Sequence, residues 1–411
     1  MSEWINCTLG DIAEVIGGGT PAKSKIEYYE GGTIPWITPK DLSGYPYRYI
    51  ERGENNITEL GLAKSSARML PKGTVLFSSR APIGYVAIAK NPLCTNQGFK
   101  NFICDEKKVN NLFLYYFLKN NVPMIENMAN GSTFKEISGS VAKTIPISLP
   151  PLHIQEKIVS IIGSLDDKIE LNLKMNKTLE EMAMTLYKHW FVDFGPFQDG
   201  EFVESELGMI PENWISLTFG DLFEIVNDSI DPLQLEEEIP YIGLEHMPKG
   251  SISLSEWGIS SQVNSNKNRY KKFDILFGKL RPYFKKVGIA PNDGICSTDI
   301  MVFRPKDDTH YGLLLGTVIQ NSFIEYCTNA SSGTKMPRVN WSEIKKYPIF
   351  IPNDNTLIIE FNSKIIKWAK IIIENIQENK YLADLRDYLL PRLLSGEIDL
   401  SHAEKQVEEV L

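Results

Sequence analysis

The sequence lacks the patterns that identify several common classes of protein. Its 411 residues contain no run approaching the ~18–20 consecutive apolar residues of a membrane span, and the N-terminus has no signal-peptide pattern, so we expect a cytoplasmic protein. Its five cysteines form no CxxC pair, which predicts free thiols in a reducing compartment. Its five histidines lie far apart without zinc-ligand spacing, so no metal site is expected.

Catalytic motifs are equally scarce. The glycine-rich GGGTPAK at 17–23 lacks the GK[ST] ending of a phosphate-binding loop. NPLC at 91–94 lacks the second proline and the aromatic residue of the amino-methyltransferase tetrapeptide, and the nuclease-like tripeptides at 106–108 and 343–345 have no convincing upstream aspartate. We therefore expect a binding protein that is not an enzyme and has no cofactor of its own.

The charge of the chain is uneven. The formal net charge of −9 would argue against nucleic-acid binding, which needs clustered lysine and arginine. However, residues 264–290 contain eight basic side chains and a single acidic one, with aromatic residues between them that include Tyr270, Tyr283 and Phe284. This basic run is either an ordinary solvated surface or a nucleic-acid contact.

The chain contains the same unit twice. LGDIAEVI at 9–16 matches FGDLFEIV at 219–226, and KGTVLFSSRAP at 72–82 matches KFDILFGKLRP at 272–282. In this alignment Arg80 and Arg281 each lie close to a proline. Shorter matches keep the same order, including CTNQ at 94–97 with CSTD at 296–299, and the offset stays between 200 and 210 residues. The pattern predicts a duplicated domain, because the repeat is too long for a solenoid.

Each copy ends in a predicted long helix. Residues 152–189 contain no proline and one glycine, and residues 353–390 contain neither. Apolar residues recur there at alternating steps of four and three, which is typical of a coiled coil. The first stripe is Ile158, Ile162, Leu165, Ile169, Asn172, Asn176, Leu179, Ala183, Leu186 and Trp190. Shifted by 203 residues, the second is Phe361, Ile365, Trp368, Ile372, Asn375, Asn379, Leu382, Arg386, Leu389 and Leu393.

Paired asparagines interrupt both stripes at the same places. Asparagine on a coiled-coil seam lowers stability and fixes register. If the helices pack antiparallel, Asn172 and Asn176 meet Asn379 and Asn375 at the centre of the seam. We therefore predict an intramolecular antiparallel coiled coil with an asparagine cluster on a local two-fold axis. The alternative is that these asparagines face solvent on an irregular seam.

Two long segments stand near the ends of the predicted helices, MNKTLEEMAMTLYKHWFVDF at 175–194 and LRDYLLPRLLSGEI at 385–398. They look like the ends of the two conserved regions in the specificity subunits of type I restriction–modification systems, and the resemblance covers the whole chain. The resemblance implies an α+β fold with two mixed α/β target recognition domains, joined by two long antiparallel coiled-coil helices in a pseudo-two-fold repeat. The implied segments are domains at 1–150 and 195–352, a spacer helix at 151–194, and a second spacer helix with the C-terminal tail at 353–411.

The resemblance also implies function and partners. Each domain would read one half of a bipartite, asymmetric site in double-stranded DNA, and the helices would set the gap. Two modification subunits that bind S-adenosylmethionine and methylate adenine, and two restriction subunits that use ATP with Mg, would complete the complex. The candidate residues for docking the modification subunits lie near the ends of the two helices: Leu179, Met182, Leu186, Trp190, Phe191, Phe194, Leu385, Leu389 and Leu393. Those on the stripe could instead only fill the internal seam, whereas Phe191 and Phe194 lie off it and are the better candidates.

Basic residues on the duplicated segments are the candidate DNA contacts, since arginine suits guanine and lysine suits phosphate. In the first domain they are Lys64, Arg68, Arg80 and Lys135, with Ser79. In the second domain they are Lys267, Arg269, Lys271, Lys279, Arg281, Lys335 and Arg338. The turns NGSTFK at 130–135 and SSGTK at 331–335 could also approach phosphates. The alternative functions are a recognition subunit of a methylation-only or orphan system, and a two-headed structural adaptor protein.

Overall fold

A computed structural model describes residues 4–129, 135–205 and 208–411. The chain forms two compact units, Met1–Glu170 with Leu382–Leu411, and Leu171–Tyr381. Each unit contains one globular head and part of both long helices. We call residues 4–149 without 130–134 the first head, and residues 214–352 the second head.

The first and last strands of each head pair with each other. Ile5–Thr8 runs antiparallel to Pro146–Leu149 in the first head, and Trp214–Thr218 runs antiparallel to Pro348–Pro352 in the second. A short helix with a Thr–Asp capping box follows the first strand in both heads, at Leu9–Ile12 and Phe219–Leu222. The Gly-Asp that LGDIAEVI and FGDLFEIV share belongs to this capped turn.

The sheets of the two heads correspond closely. In the first head a five-stranded sheet has the order Ala13–Gly17, Phe99–Cys104, Val75–Ser79, Ile83–Ala89 and Tyr49–Ile50. A three-stranded sheet has the order Asn55–Ile57, Ile34–Ile37 and Cys94–Thr95. In the second head a four-stranded sheet has the order Phe223–Val226, Ile300–Pro305, Ile275–Gly278 and Val287–Ile289. A five-stranded sheet has the order Ser229–Ile230, Lys267–Tyr270, Gly294–Cys296, Pro240–Ile242 and Gly258–Ile259.

Helices cover the sheets and connect the heads. The first head contains Glu59–Ala63, Asn111–Asn120, Val122–Asn127 and Gly139–Thr144, and the second contains Tyr311–Val318, Asn321–Asn329 and Trp341–Ile344. The first long helix is Leu152–Tyr187, followed by a π-helical turn at Lys188–Val192, and the second is Thr356–Ser395. A hairpin of Phe202–Ser205 and Gly208–Pro211 precedes the second head, and a C-terminal helix spans Leu400–Glu408. The predicted α+β fold with an internal repeat is confirmed.

The predicted apolar stripes face the interiors of the two units. Ile158, Ile162 and Leu165 are buried in the first unit, in one core with Leu389 and Leu393. In the second unit Leu179 and Ala183 share a core with stripe residues of the second helix, namely Phe361, Ile365 and Ile372. Because these cores also include strands of the heads, the apolar seam stabilises the helices and the heads together.

The four seam asparagines form the two pairs that the repeated pattern predicts. In the second unit Asn172 Nδ2 donates to Asn379 Oδ1 at 2.9 Å, and Asn375 Nδ2 donates to Asn176 Oδ1 at 2.7 Å. From the first pair to the second, the residue number rises in the first long helix and falls in the second, so the two helices run antiparallel here. Asn172 and Asn176 are almost completely buried. Their role in fixing register stays a prediction.

All five cysteines are free thiols. Burial raises the pKa of Cys94 to about 11 and that of Cys327 to about 12, so these thiols stay protonated near neutral pH. Among the described residues, no helix is long and apolar enough to cross a membrane.

Candidate nucleic-acid interface

The first head carries an open cavity with a volume of about 840 Å³ where the ends of its two sheets meet. Its lining combines side chains that donate hydrogen bonds, side chains that accept them, and aromatic residues. The residues that line it include Lys23, Tyr29, Trp36, Lys40, Asn55, Arg80, Asn96 and Gln97. Amide and guanidinium groups can read base edges, and the lysines can meet phosphates. We call this cavity the first groove.

Arg80 lies in the first groove at the end of the strand Val75–Ser79. Its Nη1 is 3.3 Å from Glu136 Oε2, and the Nζ of Lys100 is 3.3 Å from Glu136 Oε1. The Arg80 side chain is 38% exposed, whereas that of Lys100 is 10% exposed. Of these two cations, Arg80 is therefore the one that can reach a ligand from solvent.

Ser79 is completely buried, which differs from the expectation of a surface contact. Its hydroxyl donates to the carbonyl of Gly98 at 3.1 Å and accepts from Lys100 Nζ at 3.2 Å. In the structure Ser79 therefore supports Lys100 from inside the head.

The other candidates of the first head lie at its surface. Lys64 is exposed at the C-terminal end of the helix Glu59–Ala63, and Arg68 is exposed in the following turn. Lys135 is also exposed. The rest of the predicted NGSTFK turn, residues 130–134, lies outside the described residues.

In the second head, four predicted basic residues come together at one junction. The backbone N–H of Arg281 donates to the carbonyl of Pro337 at 2.8 Å, and that of Val339 donates to the carbonyl of Lys279 at 3.1 Å. Arg281 Nη2 also donates to the carbonyl of Lys335 at 3.2 Å. The SSGTK turn, with Gly333 at φ +99°, thus lies against the end of the strand Ile275–Gly278.

Arg338 at this junction makes a two-point ion pair. Its Nε donates to Asp299 Oδ1 at 3.1 Å and its Nη2 to Asp299 Oδ2 at 3.4 Å. The guanidinium of Arg281 lies 5.9 Å from the ring centre of Phe284, and Lys249 Nζ lies 4.6 Å from the same ring. These contacts concentrate positive charge around a half-buried aromatic side chain.

Arg281 is not the structural equivalent of Arg80, although the sequences align them near the same proline. Arg281 and Ala81 each immediately precede the proline, and both adopt a left-handed conformation, with φ of +51° and +49°. Leu280 therefore occupies the position of Arg80. This agrees with the alignment of 72–82 with 272–282, which already sets Arg80 opposite Leu280.

Lys267 is 5% exposed, which differs from the expectation of a solvated cation. Its Nζ donates to the carbonyl and the hydroxyl of Ser265, each at 2.7 Å, and lies 5.7 Å from the ring centre of Tyr241. Burial lowers the pKa of Lys267. The neighbouring Arg269 and Lys271 are exposed and keep their charges at the surface.

Comparison with known proteins agrees with this arrangement of two similar heads. The family model described as the type I restriction modification DNA specificity domain matches residues 1–181 and 211–382, one stretch for each copy. The chain belongs to the type I specificity subunits. The type I restriction enzyme MjaIX specificity subunit of Methanocaldococcus jannaschii is 37% identical over 96% of this chain and 94% of its own length.

Two further matches span nearly the whole specificity subunit. The type I restriction enzyme HindI specificity subunit of Haemophilus influenzae is 27% identical over 97% of this chain and 100% of its own length. The crystal structure of the type I restriction-modification S subunit from M. genitalium covers 95% of this chain and 96% of its own, with a TM-score of 0.56 and 15% identity. That structural likeness supports the fold.

Several of the residues predicted to dock partners are buried within this specificity subunit. Phe191 is 5% exposed, and its ring centre lies 5.0 Å from that of Phe361, while Leu389 is 0% exposed. Trp190, Phe194 and Leu385 are half-buried and pack against the same cores. For Leu389, which lies on the stripe, the seam-filling alternative describes the position in the structure, whereas Phe191 lies off the stripe and is buried all the same.

Other apolar side chains of the same helices are exposed. They are Leu171, Met175, Met182, Val192, Tyr381 and Tyr388. Of these, sequence reasoning had singled out only Met182. The others lie outside the repeated stripe, and their position off the seam is the signal that could have found them.

Sequence reasoning also missed part of the first groove. Asn96 and Gln97 line it, and the hydroxyl of Thr20 donates to the side-chain carbonyl of Gln97. Both belong to the repeated CTNQ motif, which was interpreted only as a mark of duplication. Lys40 lies at the rim, 2.7 Å from Glu54, and this carboxylate raises the pKa of Lys40.

Proposed function

We propose that this specificity subunit reads a bipartite, asymmetric DNA site, one half with each head. The observation that carries the proposal is the equivalent junction in both heads, where Arg80 in one and Arg281 with Arg338 in the other lie at the end of the same core strand. Arginine at such a position can make two hydrogen bonds to guanine in the major groove. The exposed lysines nearby would supply phosphate contacts.

We further propose that the two long helices set the gap between the half-sites. Each long helix contributes residues to both compact units. The asparagine pairs allow one register, because a shifted helix would bury an amide against an apolar side chain. A fixed register would give a fixed gap.

The proposed complex contains modification and restriction subunits, two of each, which would methylate adenine or cleave DNA. In that arrangement S-adenosylmethionine, and ATP with Mg, are bound by the partners, and this chain is a non-catalytic recognition subunit without a cofactor. The complex would act in the cytoplasm. The names of the curated relatives as specificity subunits of restriction enzymes support this assignment.

The test is to express the chain with its modification subunit and to map methylated adenines in host DNA by single-molecule sequencing. We expect one bipartite motif with a constant gap. Arg80→Ala and Arg281→Ala should each weaken specific binding by ~1–3 kcal/mol if they read bases. An equal loss on all sequences would make them phosphate contacts. Methylation without a bipartite motif would overturn the proposal.

Salt dependence separates DNA recognition from a structural adaptor function. The logarithm of the affinity of the complex for DNA should fall steeply and linearly with the logarithm of the salt concentration, because phosphate contacts release counterions. A complex that binds no DNA at low salt but still assembles through both heads would instead be an adaptor.

A further inference from the structure

Both heads place an ion pair at the same junction of the backbone. In the first head the N–H of Ile137 donates to the carbonyl of Ser79 at 3.0 Å, and in the second the N–H of Val339 donates to the carbonyl of Lys279 at 3.1 Å. Glu136 and Arg338, one residue earlier, are therefore structural equivalents.

The opposite side of this junction also corresponds. The N–H of Ser79 donates to the carbonyl of Gly98 at 2.7 Å, and that of Lys279 donates to the carbonyl of Asp299 at 3.0 Å. Gly98 and Asp299 thus occupy the same place in the two heads. The segments at 135–137 and 337–339, which we call the returning segments, therefore meet the core strands in the same geometry in both heads.

The position of Glu136 and Arg338 carries a carboxylate in the first head and a guanidinium in the second, while their partners Arg80 and Asp299 lie next to different strands; we call these two the exchanged ion pairs. In the first head the returning segment supplies the carboxylate of Glu136, and the strand end supplies Arg80, with 3.3 Å between Oε2 and Nη1. In the second head the returning segment supplies Arg338, and the strand side supplies the carboxylate of Asp299, with 3.1 Å between Nε and Oδ1. Each head therefore presents one guanidinium that is paired with a carboxylate. The arginine lies at the strand end in the first head and on the returning segment in the second.

These ion pairs are too exposed to have a mainly structural role. The side-chain exposures are 38% and 39% for Arg80 and Glu136, and 45% and 28% for Arg338 and Asp299. Pairs in contact with water add little to folding stability, because solvent screens them and ordering two long side chains costs entropy. Such a pair can still restrict a flexible guanidinium to one orientation before a ligand arrives, which favours specific binding.

The geometry leaves each guanidinium able to bind further acceptors. Arg80 meets Glu136 through Nη1, so its Nε and Nη2 form a fork on another edge. Arg338 binds Asp299 through Nε and Nη2, so Nη1, at the end of the guanidinium, can still donate to another acceptor. Either edge can take the two acceptors, O6 and N7, of a guanine.

We propose that Glu136 and Asp299 are positioning residues that hold Arg80 and Arg338 for sequence reading, each in its own half-site. This inference rests on the proposed DNA-reading function and deepens it. The exchanged ion pairs place the reading arginine on a different segment in each head. Two copies of one duplicated domain can in this way read different sequences without a change of backbone.

The experiment measures how well the methylase complex discriminates its cognate site from DNA altered in one half-site. Arg80→Ala and Arg338→Ala first assign each half-site to a head. Glu136→Gln should then lower discrimination about three- to tenfold at the half-site assigned to Arg80, with no change at the other. Asp299→Asn should do the same at the half-site assigned to Arg338. Affinity for unrelated DNA should not fall in either variant, because a negative charge has been removed.

Matched controls are available in both heads. Glu51 pairs with Lys90 in the first head and Glu343 with Lys346 in the second, and both pairs are more exposed than the pairs at the junction. Glu51→Gln and Glu343→Gln should leave discrimination at both half-sites unchanged. If these controls lose as much discrimination as Glu136→Gln and Asp299→Asn, the positioning role is wrong.

A second variant guards against a folding defect in Glu136→Gln, which leaves Lys100 with one less partner. The strand registers pair Phe77 with Lys100 and Phe277 with Met301, so methionine already occupies this position in the second head. Glu136→Gln combined with Lys100→Met should fold and show the same selective loss.

The outcomes separate the inference from the function on which it rests. Unchanged discrimination in the folded variants, or equal losses at both half-sites, would overturn the positioning role alone. A wild-type complex that shows no half-site preference would overturn the proposed function itself.

Discussion

The two heads are anchored to the long helices by different chemistry. In the first unit Arg48 is 5% exposed, and both its backbone N–H and its Nε donate to Glu170 Oε1 at 2.9 Å. In the second unit Glu180 accepts from the hydroxyl of Ser251 at 2.8 Å and from the N–H of Ser253 at 3.1 Å. The first head therefore uses a buried ion pair where the second uses neutral donors to a single carboxylate.

These anchors lie on the same loop of the duplicated domain. The N–H of Ile88 donates to the carbonyl of Arg48 at 2.8 Å, and that of Ile289 donates to the carbonyl of Ile252 at 3.1 Å. Arg48 and Ile252 are therefore equivalent. Both loops bind a glutamate of the first long helix, at positions 170 and 180.

The seam shows the same contrast. Arg386 Nη1 donates to Asp166 Oδ1 at 2.8 Å in the first unit, and Tyr116 donates to Asp166 Oδ2 at 2.7 Å. The 203-residue shift puts Ala183 and Ala369, both buried, at these two seam positions in the second unit. Duplicated domains can thus keep one backbone while one copy uses charges and the other uses apolar packing. A buried ion pair fixes geometry but makes each partner depend on the other.

The largest expected effect comes from breaking the ionic seam. Asp166→Ala leaves the guanidinium of Arg386 buried without its main partner, so we expect the free energy of unfolding of the first unit to fall by ~3–5 kcal/mol. Denaturant unfolding followed by circular dichroism measures this loss. Asp387→Ala is the matched control, because this exposed carboxylate also contacts Arg386 and should cost less than ~1 kcal/mol.

The double variant Asp166→Ala/Arg386→Ala sharpens the same test, since it copies the alanine pair of the second unit. It should be less destabilised than the sum of the two single variants, because no buried charge is left unpaired. Simple additivity would show that the pair is not coupled.

A smaller effect of opposite sign is expected from the asparagine cluster. Replacing Asn172, Asn176, Asn375 and Asn379 with leucine should raise the melting temperature by several degrees, since buried amides give way to apolar packing. Light scattering should at the same time reveal oligomers from lost register control. Replacing only Asn176 and Asn375 should produce part of both changes. A lower melting temperature with register intact would contradict the prediction.

The smallest effect concerns the pH dependence of the second anchor. Burial raises the pKa of Glu180, although its hydrogen bonds from Ser253 and Ser251 oppose part of the shift. Protonation of Glu180 therefore favours the folded state. Relative to Glu180→Gln, the wild-type unfolding free energy should be highest below the ordinary glutamate pKa of ~4.3 and fall as the pH rises through the raised value.

Denaturant titrations of both proteins between pH 4 and pH 7 measure this difference. Glu181→Gln is the control for the loss of one carboxylate from this helix, since Glu181 is exposed beside Lys177. A difference that instead grows with pH would mean that the hydrogen bonds outweigh burial.

Much of the fold could be predicted because its signals are periodic or duplicated. The stripes from Ile158 and Phe361 predicted the helices, and their shared asparagines predicted the antiparallel pairing. The site was harder to predict. The alignment gave the one-residue offset between Arg80 and Arg281, but it could not give the carboxylate that pairs with Arg80, because Glu136 lies far away in the chain.

Burial was the second reason why the site could not be fully predicted from the sequence. Ser79 and Lys267 belong to the predicted basic segments, yet the fold covers both side chains, and each forms hydrogen bonds inside its head. Sequence spacing gives no measure of such cover. The same reason explains Phe191, which lies off the stripe but packs against Phe361.

The sequence by itself determined the duplication, the two long helices, the seam and its asparagine pairs, because each depends on residue order and on helical periodicity. Only the tertiary structure decided which cations reach the surface and which carboxylates hold them. Glu136 lies 56 residues from Arg80, and Glu170 lies 122 residues from Arg48. Ion pairs between such distant positions form only when packed strands and helices bring the two side chains together.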